Sequence, residues 1–248
     1  MRHEPIQALR AASRPPPAPA VRPTLLIAGA TGALGNEMLR RLAGSGRYGH
    51  VDVLAREPIK QGLRAIACVV VPQELDASWP VLEAQVGVIL FDPPRLFYDR
   101  ERALWTPRPD QLQALARWMR GCGVGTVVVV LPHVQGRLPE ALKRGLASLD
   151  EHAVAALGFE CVLFVRSAQK PPPAPAGNLL VLTAHWMLAI LRYMVPGSEQ
   201  PVRAAKVSEL VAAALQMAPP GIHVAAPELV WRAAQGNLPA LVAAWLGR

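Results

Sequence analysis

The chain is poor in the residues that build disulfide frameworks and metal sites. It has three cysteines in 248 residues, and Cys68, Cys122 and Cys161 form no Cys-x-x-Cys pair. Each lies in or beside an apolar run, which predicts free buried thiols in a reducing compartment. The six histidines show no His-x-x-x-His or Cys/His spacing, so we predict no metal site. No Gly-x-Ser-x-Gly elbow is present, which leaves a serine hydrolase unsupported.

Long apolar runs are also missing. The nearest candidate, 179–195, is interrupted by His185 and Arg192, and a membrane-spanning helix needs about 20 apolar residues. We interpret this run as a buried or partner-facing helix, which favours a protein partner or a homodimer interface and would also suit an apolar substrate pocket. The sequence begins without an apolar signal segment, and residues 1–23 are rich in Pro, Ala and Arg. These features predict a disordered leader and a cytoplasmic location.

Acidic residues are outnumbered by basic ones. The 26 Lys+Arg and 18 Asp+Glu give a net charge of +8, which favours anionic partners. The arginines are spread along the chain, and no basic run is interleaved with aromatics. The pattern therefore does not indicate nucleic-acid binding, and a dinucleotide phosphate is a sufficient anionic partner.

A glycine-rich turn between a predicted strand and a predicted helix is the most informative feature. An apolar run ends in Gly29, and the helical pattern begins after Gly35, with Gly32 halfway between them. Such a turn brings backbone N–H groups and the positive end of a helix against a pyrophosphate. We predict that the dinucleotide-binding loop consists of Gly29, Thr31, Gly32, Ala33, Leu34 and Gly35.

The spacing Gly-x-x-Gly-x-x-Gly resembles the extended and atypical short-chain dehydrogenase/reductase superfamily. The chain is most similar to its small atypical members, which include the NmrA-like NAD(P)-binding proteins, over roughly residues 24–234. The resemblance implies a Rossmann fold in which the C-terminal part caps the substrate crevice. It also implies that the loop after strand four, with Asp92, lies against the nicotinamide-side ribose.

Apolar, β-branched runs alternate with helical patterns along the chain. We predict strands over 25–28, 50–55, 66–71, 86–91, 126–131 and 161–165, and helices over 33–43, 109–120 and 139–156. The last of these helices has a predicted core stripe of Leu142, Leu146, Leu149 and Ala153. This alternation predicts a doubly wound parallel α/β sheet, with 126–131 as its central strand.

Beyond residue 165 the pattern becomes mainly helical. Helices are predicted over 179–194, 204–217, 227–234 and 239–246, together with a short apolar run over 221–224. We predict one domain over 24–248, whose C-terminal cap begins at about residue 171.

The end of the second predicted strand indicates which dinucleotide is bound. An acid at this place usually binds the adenosine ribose and selects NAD. Here Arg56 follows the strand, and Asp52 lies inside it rather than at its end. Because a guanidinium suits a 2′-phosphate, we predict NADP(H) in preference to NAD(H).

The residues that the superfamily uses for chemistry are missing. None of Tyr48, Tyr98 and Tyr193 has lysine four residues later. The strand that should end in serine reads Leu131-Pro132-His133. His133 could transfer a proton there, and Lys143 or Arg144 could hold the ribose. Residues 150–152, Asp-Glu-His, are neighbours on one helix and are predicted to form a solvated face.

Two hypotheses for function stay open at this point. The first is an atypical NADP(H)-linked oxidoreductase that transfers hydride to a small molecule without Ser/Tyr/Lys chemistry. The second is a dinucleotide-binding protein without catalysis, such as a redox sensor or an assembly or interaction protein.

Overall fold

A parallel sheet forms the centre of the protein. The computed structural model describes residues 22–59, 66–76, 78–95, 98–133, 146, 148–168 and 202–247. Its strands are β1 (Thr24–Ala28), β2 (His50–Ala55), β3 (Ile66–Val70), β4 (Val86–Leu90), β5 (Thr126–His133), β6 (Cys161–Ala168) and β7 (Gly221–Ala225). They pair in the order β3-β2-β1-β4-β5-β6-β7, and every neighbouring pair is parallel.

Helices connect the strands and follow the sheet. They are α1 (Gly32–Gly44), α2 (Asp99–Arg102), α3 (Leu112–Gly121), α4 (Leu149–Ala155), α5 (Ala204–Met217), α6 (Pro227–Gln235) and α7 (Leu238–Leu246). A short 3-10 turn, Pro109–Gln111, precedes α3. The predicted strands and helices that fall in the described part lie within a residue or two of their expected ends, except in the connection between β5 and β6 and at the end of β6, which continues three residues beyond the predicted 165. The helical C-terminal region is present.

Hydrophobic residues cover both faces of the sheet because the strands alternate their side chains. Leu25 and Ile27 of β1 face one core, which contains residues of α1, α5, α6 and α7. Leu26 and Ala28 face a second core, which contains residues of α3 and α4. Residues 127–130 of β5 are buried, and β5 lies between β4 and β6. The predicted doubly wound α/β architecture is confirmed.

The helix before β6 differs from the prediction. Ser148 is extended and caps the helix, accepting a hydrogen bond from the Glu151 N–H, so α4 begins at Leu149. The Leu149 side chain is 89% exposed, and its predicted place in a core stripe is wrong. The prediction assumed one helix over 139–156, whereas the helix that contains Leu149 begins directly after the cap at Ser148, and this start decides which side chains are buried. Val154 is the α4 residue that is fully buried, and residues 139–145 lie outside the described part.

The described residues contain no helix that is long and apolar enough to cross a membrane. The apolar run 179–194 lies outside them, as do residues 1–21. All three cysteines are free thiols, with Cys122 and Cys161 buried and Cys68 half-buried.

Candidate functional site

The predicted glycine loop forms a tight turn between β1 and α1. Gly29 has a φ of +83°, and a Cβ atom there would lie 2.0 Å from the carbonyl oxygen of Leu90 in β4. A Cβ atom on Gly35 would lie 2.5 Å from the carbonyl oxygen of Gly29. Both approaches are too close for any side chain. The turn therefore needs glycine at these two positions to hold α1 against the carboxyl end of the sheet.

The middle glycine is in contact with the loop that follows β4. Gly32 has a φ of +67°, and a Cβ atom there would lie 2.8 Å from Asp92 Cβ and 2.9 Å from the Pro93 carbonyl oxygen. In the same loop, the Asp92 carbonyl accepts a hydrogen bond of 2.5 Å from Thr31 Oγ1. The Asp92 carboxylate oxygen Oδ2 accepts another from the Leu34 N–H at 3.2 Å. Asp92 thus lies directly at the N-terminus of α1.

A second carboxylate, Glu101 of α2, reaches the same helix end. Its oxygen Oε2 lies 3.0 Å from the Gly32 nitrogen and 2.9 Å from the Arg95 nitrogen, and accepts from both N–H groups. Its oxygen Oε1 accepts from Asn36 Nδ2 at 2.6 Å and from Arg95 Nε at 2.7 Å. Arg95 Nη2 also pairs with Oε1. Glu101 is only 3% exposed, although it is a charged residue.

The surroundings of Glu101 keep it ionised. Burial by itself would raise the pKa of this carboxyl group, but the hydrogen bonds from Arg95 and from the Gly32 N–H outweigh burial and lower the pKa. Helix α1 has no acidic residue in its own first turn. Because unpaired N–H groups and the helix dipole make this end positive, Glu101 and Asp92 supply its negative charge from a distant part of the chain.

A crossing segment, residues 98–106, carries Glu101 over the carboxyl end of β2. Leu104 forms an antiparallel bridge with Ala55, and the Trp105 N–H donates to the Leu54 carbonyl at 3.0 Å. The Trp105 side chain is fully buried and packs edge-on against Trp79, with 5.1 Å between ring centroids. The crossing segment thus lies where an adenosine ribose is bound in a dinucleotide-binding Rossmann fold.

Arg56, predicted to select a 2′-phosphate, lies beneath this segment. Its N–H donates to the Ala103 carbonyl at 2.7 Å, while the residue as a whole is exposed. Beside α1 there is a groove of about 920 Å³, whose lining includes Glu101, Val53 and Ile66. Three arginines also line it, Arg40, Arg95 and Arg100. Two of them are paired with carboxylates of the same lining, Arg40 with Glu37 and Arg95 with Glu101.

The roles predicted for His133 and Lys143 in the chemistry stay predictions. His133 is the last residue of β5 and pairs with Ala168 of β6, but its side chain lies outside the described part, as does Lys143. Tyr98 belongs to the crossing segment, where the Arg95 guanidinium lies 3.9 Å from its ring centroid. Tyr48 is buried between α1 and β2. Neither tyrosine lies on the connection that follows β5.

One predicted solvated face is wrong in part. Glu151 is 4% exposed and Arg166 of β6 is 2% exposed, and Arg166 Nη2 lies 2.7 Å from Glu151 Oε2. The cap at Ser148 sets the rotation of α4 so that Glu151 points inward, while Asp150 and His152 are exposed.

No group of three or more His, Cys, Asp or Glu residues suited to a metal ion occurs within the described ranges.

Sequence reasoning missed the carboxylate of Glu101 and its donors Asn36 and Arg95. Gly32 and Glu101 are 69 residues apart, and neither belongs to a motif that links them. Two features of the sequence could have indicated such a carboxylate. They are the long insertion between β4 and α3 and the absence of an acid from the first turn of α1.

No protein-family model matches the sequence, and no curated protein matches it. Solved structures with a similar fold were found. MoeE5, in complex with UDP-glucuronic acid and NAD, is 18% identical, with 81% of this chain and 75% of that chain covered and a TM-score of 0.48. WbmG of Bordetella bronchiseptica, in complex with NAD and UDP, is 13% identical, with 91% and 79% covered and a TM-score of 0.46. A UDP-galactose 4-epimerase is 14% identical, with 90% and 97% covered and a TM-score of 0.42.

The chain has a Rossmann fold. This conclusion comes from its own strand order and from the glycine turn after β1, which together confirm the fold that the resemblance to short-chain dehydrogenases implies.

Proposed function

We propose that this protein binds NADP(H) at the glycine turn and acts as a dinucleotide-dependent sensor rather than as a reductase of the Ser/Tyr/Lys type. The observation that carries the proposal is the direction of the backbone N–H groups. Those of Gly32 and Leu34 point at carboxylate oxygens 3.0 and 3.2 Å away. A turn that holds carboxylates in this way has the donors that a pyrophosphate needs.

The surroundings of the turn also suit a dinucleotide. The groove beside α1 has a volume in the range typical of ligand sites, and Arg40 lines it. Arg56 adds an exposed guanidinium at the carboxyl end of β2, where a 2′-phosphate would be bound. These positive charges favour NADP(H) over NAD(H) because only the former carries the extra phosphate.

The sensor is favoured over the oxidoreductase by the residues at the end of β5. Leucine and proline occupy 131 and 132, and neither described tyrosine lies on the connection that follows β5. The part of the chain that the structure describes therefore has no tyrosine after β5 that could act as the usual proton donor. Hydride transfer to a flavin, quinone or activated alkene stays the competing hypothesis.

Titration of the full-length protein with NADPH and NADH, followed by nicotinamide fluorescence and melting temperature, tests the proposal. At ligand concentrations 100-fold above the dissociation constant, binding adds about 2.7 kcal/mol to the free energy of unfolding. Arg56→Ala should weaken NADPH and leave NADH unchanged. Arg47→Ala is the matched control, because Arg47 is exposed and lies at the opposite end of β2.

Failure of both nucleotides to bind would contradict the proposal. If NADPH binds, quinone and flavin acceptors should next be added while nicotinamide absorbance is followed. Steady loss of that absorbance would favour the oxidoreductase over the sensor.

A further inference from the structure

The Glu101 carboxylate lies in an anion site that the rest of the chain builds around it. Two backbone N–H groups, one amide and one guanidinium converge on its two oxygens, from Gly32, Arg95 and Asn36. These donors come from the first turns of α1 and from the loop after β4, so they are separate in sequence and meet only in the fold. A single carboxylate therefore receives charge-assisted hydrogen bonds from two sides.

The same donors match a phosphate group in number and in charge. A phosphate presents several acceptor oxygens at a spacing similar to that of a carboxylate, and it favours arginine and helix N-termini. However, a phosphate and Glu101 cannot use the Gly32 N–H at the same time. As the chain is arranged here, a pyrophosphate does not fit at the glycine turn unless Glu101 leaves.

We infer that Glu101 is an internal substitute for the dinucleotide phosphate, and that Asn36 and Arg95 are phosphate ligands which Glu101 occupies until the dinucleotide replaces it. This inference rests on the proposed function. Binding would move Glu101 and residues 98–102 of the crossing segment away from the glycine turn, and the position of this part would report whether NADP(H) is bound.

The contacts of the crossing segment indicate which of its residues can move when the dinucleotide phosphate replaces Glu101. Arg95 and Tyr98 are substantially exposed, with side-chain or residue exposures of 43% and 51%. Helix α2 is only four residues long. In contrast, Trp105 is buried and anchored beside Trp79. The part around 98–102 can therefore leave the turn while Trp105 holds the end of the segment in place.

An internal competitor weakens the apparent binding of the dinucleotide. The apparent affinity equals the intrinsic affinity multiplied by the fraction of molecules in which the competitor is displaced. Glu101→Gln removes the negative charge and keeps the shape. We expect the variant to bind NADPH, and inorganic pyrophosphate as a simpler probe, on the order of 10- to 100-fold more tightly than the wild type. The double variant Glu101→Gln/Arg95→Gln should lose most of this gain, because a phosphate ligand is then missing.

The matched control is Glu74→Gln. Glu74 is an exposed carboxylate that pairs with Arg108 and not with the donors of Glu101, and its replacement should leave both affinities unchanged. Equal NADPH affinity in the wild type and in Glu101→Gln would overturn the inference and leave the proposed function standing. If neither folded protein binds NADPH or pyrophosphate, both proposals fall.

A measurement on the unmodified protein covers the case in which Glu101→Gln does not fold. Trypsin should cleave the wild type after Arg100 or Arg102 faster when NADPH or pyrophosphate is present, because the ligand releases these residues from the turn. Unchanged or slower cleavage with bound NADPH would overturn the inference, while the binding itself would support the proposed function.

Discussion

Replacing Arg166 by methionine tests how strongly the buried ion pair with Glu151 determines stability. The two side chains are 2% and 5% exposed and 2.7 Å apart, so almost no water screens either charge. Removing one partner of such a pair leaves the other charge buried without this counter-charge, which typically costs about 3–5 kcal/mol. For a protein of this size, about 1 kcal/mol corresponds to roughly 2–4 °C. The expected fall in melting temperature is therefore roughly 6–20 °C.

Chemical denaturation and calorimetry of four proteins measure this effect as a double-mutant cycle. They are the wild type, Arg166→Met, Glu151→Met and the variant with both changes. The double variant should be far more stable than the sum of the single losses predicts, because no unpaired charge is left and apolar side chains fill the space. Arg40→Met is the exposed control, since Arg40 and Glu37 pair on the surface of α1, and it should leave the melting temperature unchanged. A loss below about 1 kcal/mol for Arg166→Met would refute the conclusion that the pair is held out of water.

Two further predictions concern packing at the glycine turn and the reactivity of the thiols. Gly35→Ala should destabilise the protein by about 1–3 kcal/mol in urea denaturation, because its Cβ atom would lie 2.5 Å from the Gly29 carbonyl oxygen. The control is Gly44→Ala at the end of the same helix, where nothing lies within 4 Å of the Cβ position. It should be neutral or stabilise the protein by up to about 1 kcal/mol. An equal loss of stability in both variants would contradict the steric explanation. Burial raises the pKa of the Cys161 thiol to about 11, so at neutral pH this residue should react with a thiol reagent only when the protein unfolds. The half-buried Cys68 should react earlier. Labelling of Cys161 before Cys68 in peptide mapping would show that the prediction is wrong.

Local patterns predicted most of the sheet because its strands carry strong local signals. The β-branched run at 126–130 indicates a buried central strand, and β5 lies between β4 and β6 in the sheet. The glycine spacing similarly predicted the turn before α1, because few other residues tolerate a φ of +83° with a neighbouring carbonyl so close. In these places the local sequence and the tertiary structure favour the same conformation.

The site itself could be predicted only in part, because its electrostatics depend on residues far apart in the chain. The glycine at position 32 indicates from sequence that an anion can approach the turn. No neighbouring residue indicates that this anion is the carboxylate of Glu101. The pair of Glu151 with Arg166 was missed for a related reason. A one-residue capping signal at Ser148 changes where α4 starts, and the start of a helix decides which side chains face the core.

The distance along the chain between the glycine turn and its carboxylates has a consequence for the order of folding. The first turn of α1 has no acid of its own, and its partners lie 58 and 69 residues further on. These contacts require a long loop to close, and its entropic cost is met only when β4 pairs beside β1. Helix α1 can begin to form from its own residues. Its N-terminal hydrogen bonds form only after β4 has paired with β1 and the segment that follows β4 has folded against the helix.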